Sequence, residues 1–399
     1  MTAHRSPTPL SPVNTFRWFA ALAFSFAWVP VMFTAFTIDR GFSVDQYARL
    51  WSLYYLVMVL AEVPLGWVAD RLGKRPLLIA GPATLAISFA VLGRAAGFET
   101  CLWAMAVTGA GHAMISGADS AYLYELLLQE KRRPEALREE SLAHRWRLFG
   151  VSLADLSGGF AAWYWGTSAA FDFSALIMVV AVWLAWRLPS LPQENARGGH
   201  PREGHALLTS LLNREVLWVF AWYALIFVLL RIGFQLYQPT LLAVGAHDLR
   251  LHGGLLSLLN LVAGFSAMAV GAVYHRLGEQ GTIAAVLCLV AISFAGLAVA
   301  GPLAMAPLFC LQQVSFAFLQ PMGRTALNHR IPSADRASLL SAQSMAARLA
   351  FSLALVGGSW EQAVSEDLPS TYGGLAVATV VCTSALLWIR PRRLSDPGA

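Results

Sequence analysis

The stretch GWVADRLGKR, from Gly66 to Arg75, follows an apolar run of membrane-spanning length and ends it with a charged loop that contains glycine. A related stretch, GAVYHRLGEQ, runs from Gly271 to Gln280, and its first glycine follows Gly66 by 205 positions. Self-similarity at about half the chain length indicates two related halves. In a membrane protein, related halves favour alternating access to a site near the midplane.

The composition of the chain is that of a membrane protein. Apolar residues make up 57% of its 399 residues and charged residues 13%, whereas soluble domains carry about 25% charged residues. The apolar residues fall into blocks of about 20, each long enough to cross a hydrocarbon core of about 30 Å. We therefore predict twelve spans, at 16–38, 47–69, 76–93, 99–126, 145–166, 169–188, 215–238, 252–274, 281–299, 303–327, 337–357 and 372–390. The first block is longer than a signal-peptide core and lacks a small-residue cleavage site, so we expect it to be retained.

The longest internal loop separates six predicted spans from six. It is rich in Pro, Gly, Gln, Glu and Arg, as domain linkers are. We therefore predict an N-terminal bundle over 1–188, a cytoplasmic linker over 189–213 and a C-terminal bundle over 214–399.

The positive charges predict the orientation. Of the 28 Lys and Arg, only Arg40, Arg49, Arg94 and Arg250 lie on the predicted outer side, Arg49 at the outer end of span 2, and most of the others lie on the opposite side. By the positive-inside rule both termini are cytoplasmic, and we expect a bacterial-type inner membrane. This distribution explains the pI near 9.2 without a nucleic-acid partner. The four cysteines lie in or at the edges of spans, with neither disulfide nor metal spacing, and we expect no cofactor and no metal.

The pattern G-x-x-x-D-R-x-G-K-R in Gly66–Arg75 resembles motif A of the major facilitator superfamily, and it lies between spans 2 and 3 as it does there. The resemblance implies an all-α membrane protein of two six-helix bundles related by pseudo-symmetry, around a cavity lined mainly by spans 1, 4, 7 and 10. It also implies that Asp70, Arg71, Gly73 and Arg75 belong to a gate. In that gate Asp70 and Arg71 pair with neighbouring helix ends, including the N-terminus of span 11, whose dipole favours an acid.

Two other motifs of the superfamily's drug/proton antiporters are altered. The arginine of motif B, four residues before Gly109 on span 4, is replaced by Met105. Motif C on span 5 reads G-P-x-x-G-G in those antiporters and A-D-x-x-G-G at Ala154–Gly159 here. Drug antiport is therefore not implied. We still favour export, from resemblance to efflux members, over the alternative of nutrient or metal-chelate uptake.

Ionisable residues inside the predicted spans differ between the halves. The acids Glu62, Asp119, Glu125 and Asp155 lie in the first half, and Arg231, Arg324 and Arg348 lie in the second. Such residues are costly in a membrane and mark functional sites. The charges either form ion pairs that break and re-form during transport, or they line a cavity where arginines hold an anionic group and protons visit the carboxylates.

Asp155 is the first candidate for proton coupling, because it lies near the middle of span 5 with no base beside it in the sequence. A permanent pair with an arginine such as Arg348 is the alternative, and it would keep Asp155 charged. Glu62 is similarly deep on span 2, where it either couples protons or shapes the helix.

Span 4 carries His112, Ser116 and Asp119 at spacings that place them on one helix face. His112 is a candidate substrate contact or proton relay, and a hydrogen bond to a backbone carbonyl is the alternative. Asp119 is a candidate coupling residue. Glu125 lies near the basic loop after span 4, and we expect it to form a structural or gating ion pair.

Two polar stripes lie on spans that the resemblance assigns to the cavity. Span 7 carries Arg231, Gln235 and Gln238, and span 10 carries Gln313, Gln320 and Arg324. Amide and guanidinium donors suit carboxylate, phosphate or carbonyl oxygens, although such residues also join helices to one another. Trp28, near the middle of span 1, is a candidate floor for the cavity.

Other functional classes lack their motifs. The sequence has no zinc-protease or serine-hydrolase motif and no phosphate-binding glycine loop, and its loops are too short for a sensor's output domain. We predict a monomeric secondary transporter, and no enzyme. Its partners are a small organic solute, anionic or zwitterionic, protons and the lipid bilayer, with proton coupling and export favoured.

Overall fold

The computed structural model describes residues 11–191, 213–331, 336–365, 367–389 and 391. Every regular element in these ranges is helical. Most of the predicted linker, residues 192–212, lies outside the described residues.

The helices of the first half are α1 Pro12–Leu22, a 3-10 turn Val29–Val31, a π turn Thr34–Ile38, α2 Val44–Leu72, α3 Lys74–Arg94, α4 Phe98–Ser116, α5 Asp119–Gln129, a 3-10 turn Arg133–Glu135, α6 Ala136–Trp165 and α7 Thr167–Arg187. Those of the second half are α8 Arg214–Ala243, α9 Leu249–Ala267, α10 Val270–Val299, α11 Pro302–Asn328, α12 Arg336–Gly357, α13 Trp360–Ser365 and α14 Leu368–Trp388.

Eight of the described helices, α2, α3, α7, α8, α10, α11, α12 and α14, are long and apolar enough to cross a membrane. The other four predicted spans fall on α1 with its short continuations, on α4 with α5, on α6 and on α9. The all-helical fold class is confirmed, although several spans are interrupted.

Spans 1 and 4 break at particular residues. Span 1 leaves the α conformation after Leu22, and Pro30, in the 3-10 turn that follows, has no backbone N–H to continue an α-helix. Span 4 is interrupted at Gly117, and Asp119 opens α5, where its Oδ1 accepts the Ser120 N–H at 2.7 Å. The face predicted for His112 and Asp119 therefore does not run along one uninterrupted helix.

The described chain forms two compact units. The first contains the first half together with Ala246–Leu261, and the second contains the rest of the second half. The segment Ala246–Leu261 joins the first unit because α9 packs closely on α6. A Cβ added to Gly159 would lie 2.9 Å from the Gly253 Cα, a distance that only small residues allow. The predicted domain boundaries stay a prediction.

Candidate functional site

Asp155 lies on α6 where α9 packs against it. Its side chain is buried, with the residue 2% exposed, and its Oδ2 accepts a hydrogen bond from Asn260 Nδ2 at 2.7 Å. One turn away, the hydroxyls of Ser152 and Ser257 lie 2.7 Å apart across the same seam. The described partner of Asp155 is thus a neutral amide, and the alternative of a permanent pair with Arg348 stays a prediction.

Asp119 has a different environment. It is buried and forms an ion pair with Arg147 of α6, whose guanidinium also lies 4.1 Å from the centre of the Phe24 ring. The ion pair compensates the charge of a buried carboxylate. The sequence analysis did not identify Arg147 as the partner, although it is a base near the start of the next predicted span.

His112 is half-buried on α4, and its Nδ1 is hydrogen-bonded to the Tyr54 hydroxyl of α2. The imidazole also lies against Phe24 and Phe26, with ring centroids 5.2 Å and 5.7 Å away. This partner is a side chain that can itself donate or accept a proton, unlike a backbone carbonyl.

Trp28 packs inside the first unit. Its ring stacks on Trp51 and Phe171 at 5.6 Å and 5.3 Å, the residue is 1% exposed, and its backbone N–H donates to Ser174 Oγ at 3.1 Å. This is a core position rather than the accessible wall of a cavity. Glu62 lies half-buried on α2.

The motif A loop is attached to two neighbouring helix ends. Gly73 separates α2 from α3 with φ +85°, and Lys74 directly after it pairs with Glu125 of α5, Nζ to Oε1 at 2.6 Å. Arg75 donates to the Trp186 carbonyl at 2.6 Å and to Ser190 Oγ at 2.8 Å, at the end of α7. We call the Lys74–Glu125 pair the first latch.

Asp70 and Arg71 lie beside this latch. Asp70 is exposed and lines a cavity of about 580 Å³ together with Lys74, Glu125 and Tyr122. Arg71 is exposed, with its guanidinium 3.6 Å from the centre of the Trp67 ring. Their predicted gating partners beyond this loop stay a prediction.

The second half has an equivalent of the first latch. Gly278 has φ +66°, and Glu279 directly after it binds Arg330 at the end of α11, Oε2 to Nη2 at 3.0 Å. Arg330 also pairs with Glu215 at the start of α8, Nε to Oε2 at 3.2 Å. We call these three residues the second latch. The sequence analysis identified the loop repeat but none of the three.

On α8 the predicted stripe is largely enclosed. Arg231 is half-buried among Phe227, Phe234 and Phe316, whose ring centres lie 5.5–5.7 Å from its guanidinium carbon. Gln235 and Gln238 are buried. Such aromatic rings stabilise a cation through their faces.

On α11 the predicted stripe is accessible. Gln313 is half-buried, and Gln320 and Arg324 are exposed. The buried amide of this helix is Gln312, whose Nε2 donates to Ser293 Oγ of α10 at 2.9 Å. Gln312 joins the two helices, a role that the sequence analysis did not assign. Arg348 is half-buried on α12.

The arrangement contains no metal centre among the described residues, since no three His, Cys, Asp or Glu side chains there converge on one point. Among the described residues, the first unit holds the buried carboxyl of Asp155, and the second holds the guanidinium groups of Arg231, Arg324 and Arg348.

Comparisons with known proteins agree with this fold. The solved nucleoside transporter NupG superposes with a TM-score of 0.82 at 14% identity, over 95% of this chain and 99% of NupG. An auto-inhibited peptide transporter of the POT family superposes with a TM-score of 0.73 at 14% identity, over 97% of this chain and 98% of that one. The family model of the Major Facilitator Superfamily matches residues 17–397. The predicted family is confirmed: this chain belongs to the major facilitator superfamily and is a multi-pass membrane transporter, not an enzyme.

Proposed function

We propose that the protein is a proton-coupled secondary transporter of a small organic solute with an anionic or zwitterionic group. The observation that carries this proposal is the environment of Asp155, a buried carboxyl on a predicted membrane span whose described partner is the Asn260 amide.

An amide partner suits a group that changes protonation. The Asn260 NH2 donates to the charged carboxylate, and after rotation of the amide its carbonyl oxygen can accept from the neutral carboxyl. Both states of Asp155 therefore keep a hydrogen bond, whereas an arginine partner would hold the carboxylate charged. A charge inside a membrane span is costly, so the carboxyl of Asp155 should gain or lose its proton when the polarity of its surroundings changes during transport.

The other candidate acids are less suited to this step. Asp119 is paired with Arg147, and Glu125 with Lys74, so that loss of either negative charge would leave a base without its partner. We place coupling on Asp155, keep Glu62 as the second candidate, and give His112 with Tyr54 a relay or contact role.

The solute class is supported by the donors of the second unit. Arginines on α8, α11 and α12, with the amides Gln235, Gln313 and Gln320, offer charge-assisted hydrogen bonds to carboxylate or phosphate oxygens. The two fold relatives are named as nucleoside and peptide transporters, and a peptide is a zwitterionic solute. We favour export across a bacterial-type inner membrane, with both termini cytoplasmic, and nutrient or chelate uptake is the alternative direction.

The test begins with an untargeted metabolite comparison of cells with and without the gene, which identifies the solute and the direction. The purified protein is then placed in liposomes. Asp155→Asn should abolish pH-driven accumulation and retain solute exchange, because exchange needs no net proton movement.

Asp172→Asn is the matched control, since Asp172 is an exposed acid of the same unit paired with Arg94. It should accumulate solute as the wild type does. Normal pH-driven accumulation by Asp155→Asn would exclude Asp155 from coupling.

A further inference from the structure

Three helices of the second unit meet at Gly323. A Cβ on this residue of α11 would lie 2.6 Å from Tyr223 Cδ2 of α8 and 3.3 Å from Gln343 Oε1 of α12. The missing side chain therefore lets a phenol ring and an amide approach the α11 backbone together. Both are deeply buried, Gln343 at 3% exposure.

Two positive charges act on this meeting point. The guanidinium groups of Arg324, next to Gly323, and of Arg348, on α12, both interact electrostatically with the Tyr223 hydroxyl. Arg324 is exposed, and none of the ion pairs between described residues includes it. The acids Glu215 and Glu279 of the same unit are bound by Arg330. Arg324 therefore contributes a positive charge that no acid in the described part of the chain is seen to neutralise.

A buried donor at the same place lacks a partner. Gln343 Nε2 makes no hydrogen bond to any described residue. Buried amide N–H groups are almost always hydrogen-bonded in proteins, so such a group calls for an acceptor that the protein does not supply. An oxyanion would accept from it, and a cation would not.

We propose that Tyr223, Arg324, Gln343 and Arg348 form an oxyanion seat, which binds the carboxylate or phosphate group of a water-soluble solute. Two guanidinium groups, an amide and a phenol supply donors to several oxygens at once, which is the arrangement that recognises these groups. The seat rests on the proposed transport function and names the part of the solute that the second unit holds. It is distinct from Arg231, which lies two helical turns from Tyr223 on α8 among phenylalanine rings.

The experiment measures binding to the purified full-length protein in detergent, by calorimetry and by thermal unfolding. The anionic probes are inorganic phosphate and benzoate, and neutral benzamide and cationic benzamidine are matched to benzoate in size. Phosphate or benzoate should bind and raise the unfolding temperature, whereas benzamide and benzamidine should not.

Substitutions then test the named donors. Arg324→Gln and Gln343→Leu should each weaken anion binding about 10- to 100-fold, as expected for loss of a hydrogen bond that involves charge. Arg324→Lys should retain part of the affinity. Arg276→Gln removes an exposed arginine of the same unit outside the seat and should bind as the wild type does.

Three results would overturn the seat: unchanged anion affinity in Arg324→Gln, equal stabilisation by benzamidine, or stabilisation by phosphatidylglycerol with none by the soluble anions. If Gln343→Leu does not fold, the exposed Arg324 decides the outcome alone. Anion binding without pH-driven flux in liposomes would reject the proposed function and keep the seat. Normal flux with an unchanged KM in Arg324→Gln would reject the seat and keep the proposed function.

Discussion

The two latches occupy the same positions of the repeat with opposite charges. In each half a glycine of positive φ is followed by a charged residue, which pairs with a partner 51 positions later at a helix end. In the first latch the loop residue is Lys74 and the partner is Glu125, and in the second they are Glu279 and Arg330. The two halves therefore share a backbone turn and an ion pair at equivalent positions, but the acid and the base have exchanged places.

The latches also differ in burial. The side chains of Lys74 and Glu125 are 18% and 40% exposed, whereas those of Arg330 and Glu279 are 6% and 13% exposed. Arg330 binds a second acid, Glu215. Water screens the first pair more than the second, so we expect the second latch to contribute more to stability.

The largest effect is expected from Arg330→Gln. It leaves two acids beside each other without their base, and breaking a buried pair costs about 3–5 kcal/mol. Because Glu215 is partly exposed, we expect the lower end, about 3 kcal/mol, measured by denaturant unfolding of the purified protein. Arg336→Gln, at an exposed arginine that donates to the Asn328 carbonyl, is the control and should cost under about 1 kcal/mol. Equal losses in the two variants would contradict the difference in burial.

An intermediate effect is expected from the two latch glycines. Gly73 has φ +85° and ψ 165°, and Gly278 has φ +66° and ψ −178°, a region that essentially only glycine adopts. Nothing lies within 4 Å of a Cβ added at either position, so backbone strain is the only cost expected from an alanine there. Gly73→Ala and Gly278→Ala should each lose about 1–3 kcal/mol of unfolding free energy.

Gly271→Ala controls for this strain, because Gly271 is helical and its added Cβ would also meet open space. Alanine should be neutral or slightly stabilising there. A loss at Gly271 as large as at Gly278 would show that strain is not the cause.

The smallest effect is expected from reversing the first latch. Lys74→Glu and Glu125→Lys should each cost under about 1 kcal/mol, as exposed pairs do, and the double variant should recover most of the loss. A double-mutant cycle on unfolding free energies measures the coupling. Additive losses would mean that the polarity of the first latch is fixed by other neighbours, such as Asp70.

The sequence predicts the spans and the motif A loop well, because both depend on local pattern. It also predicts that Glu125 forms an ion pair. The sequence does not predict the partners of Asp155 and Asp119. Asn260 and Arg147 reach these acids through helix packing, which no spacing in the chain encodes.

Some missed residues had a usable signal. The 205-residue offset that relates Gly66 to Gly271 also relates Glu125 to Arg330, so applying the repeat to the ion pair would have identified the second latch. No such offset identifies Gln343, whose place in the proposed seat rests on a buried Nε2 that has no hydrogen-bond partner among the described residues. The break in span 1 had a signal in Pro30, but the α-helix already ends at Leu22, which the proline does not predict.

The reversed polarity of the latches also bears on how a duplicated chain avoids assembling wrongly as it emerges from the ribosome. Two similar halves offer each loop two similar helix ends. If a loop met the helix end of the other half, Lys74 would face Arg330, and Glu279 would face Glu125. Both wrong pairings set like charges together, whereas both native pairings attract. The charge reversal thus gives each half a means of rejecting the other's helix end during membrane insertion, without any change to the shared backbone.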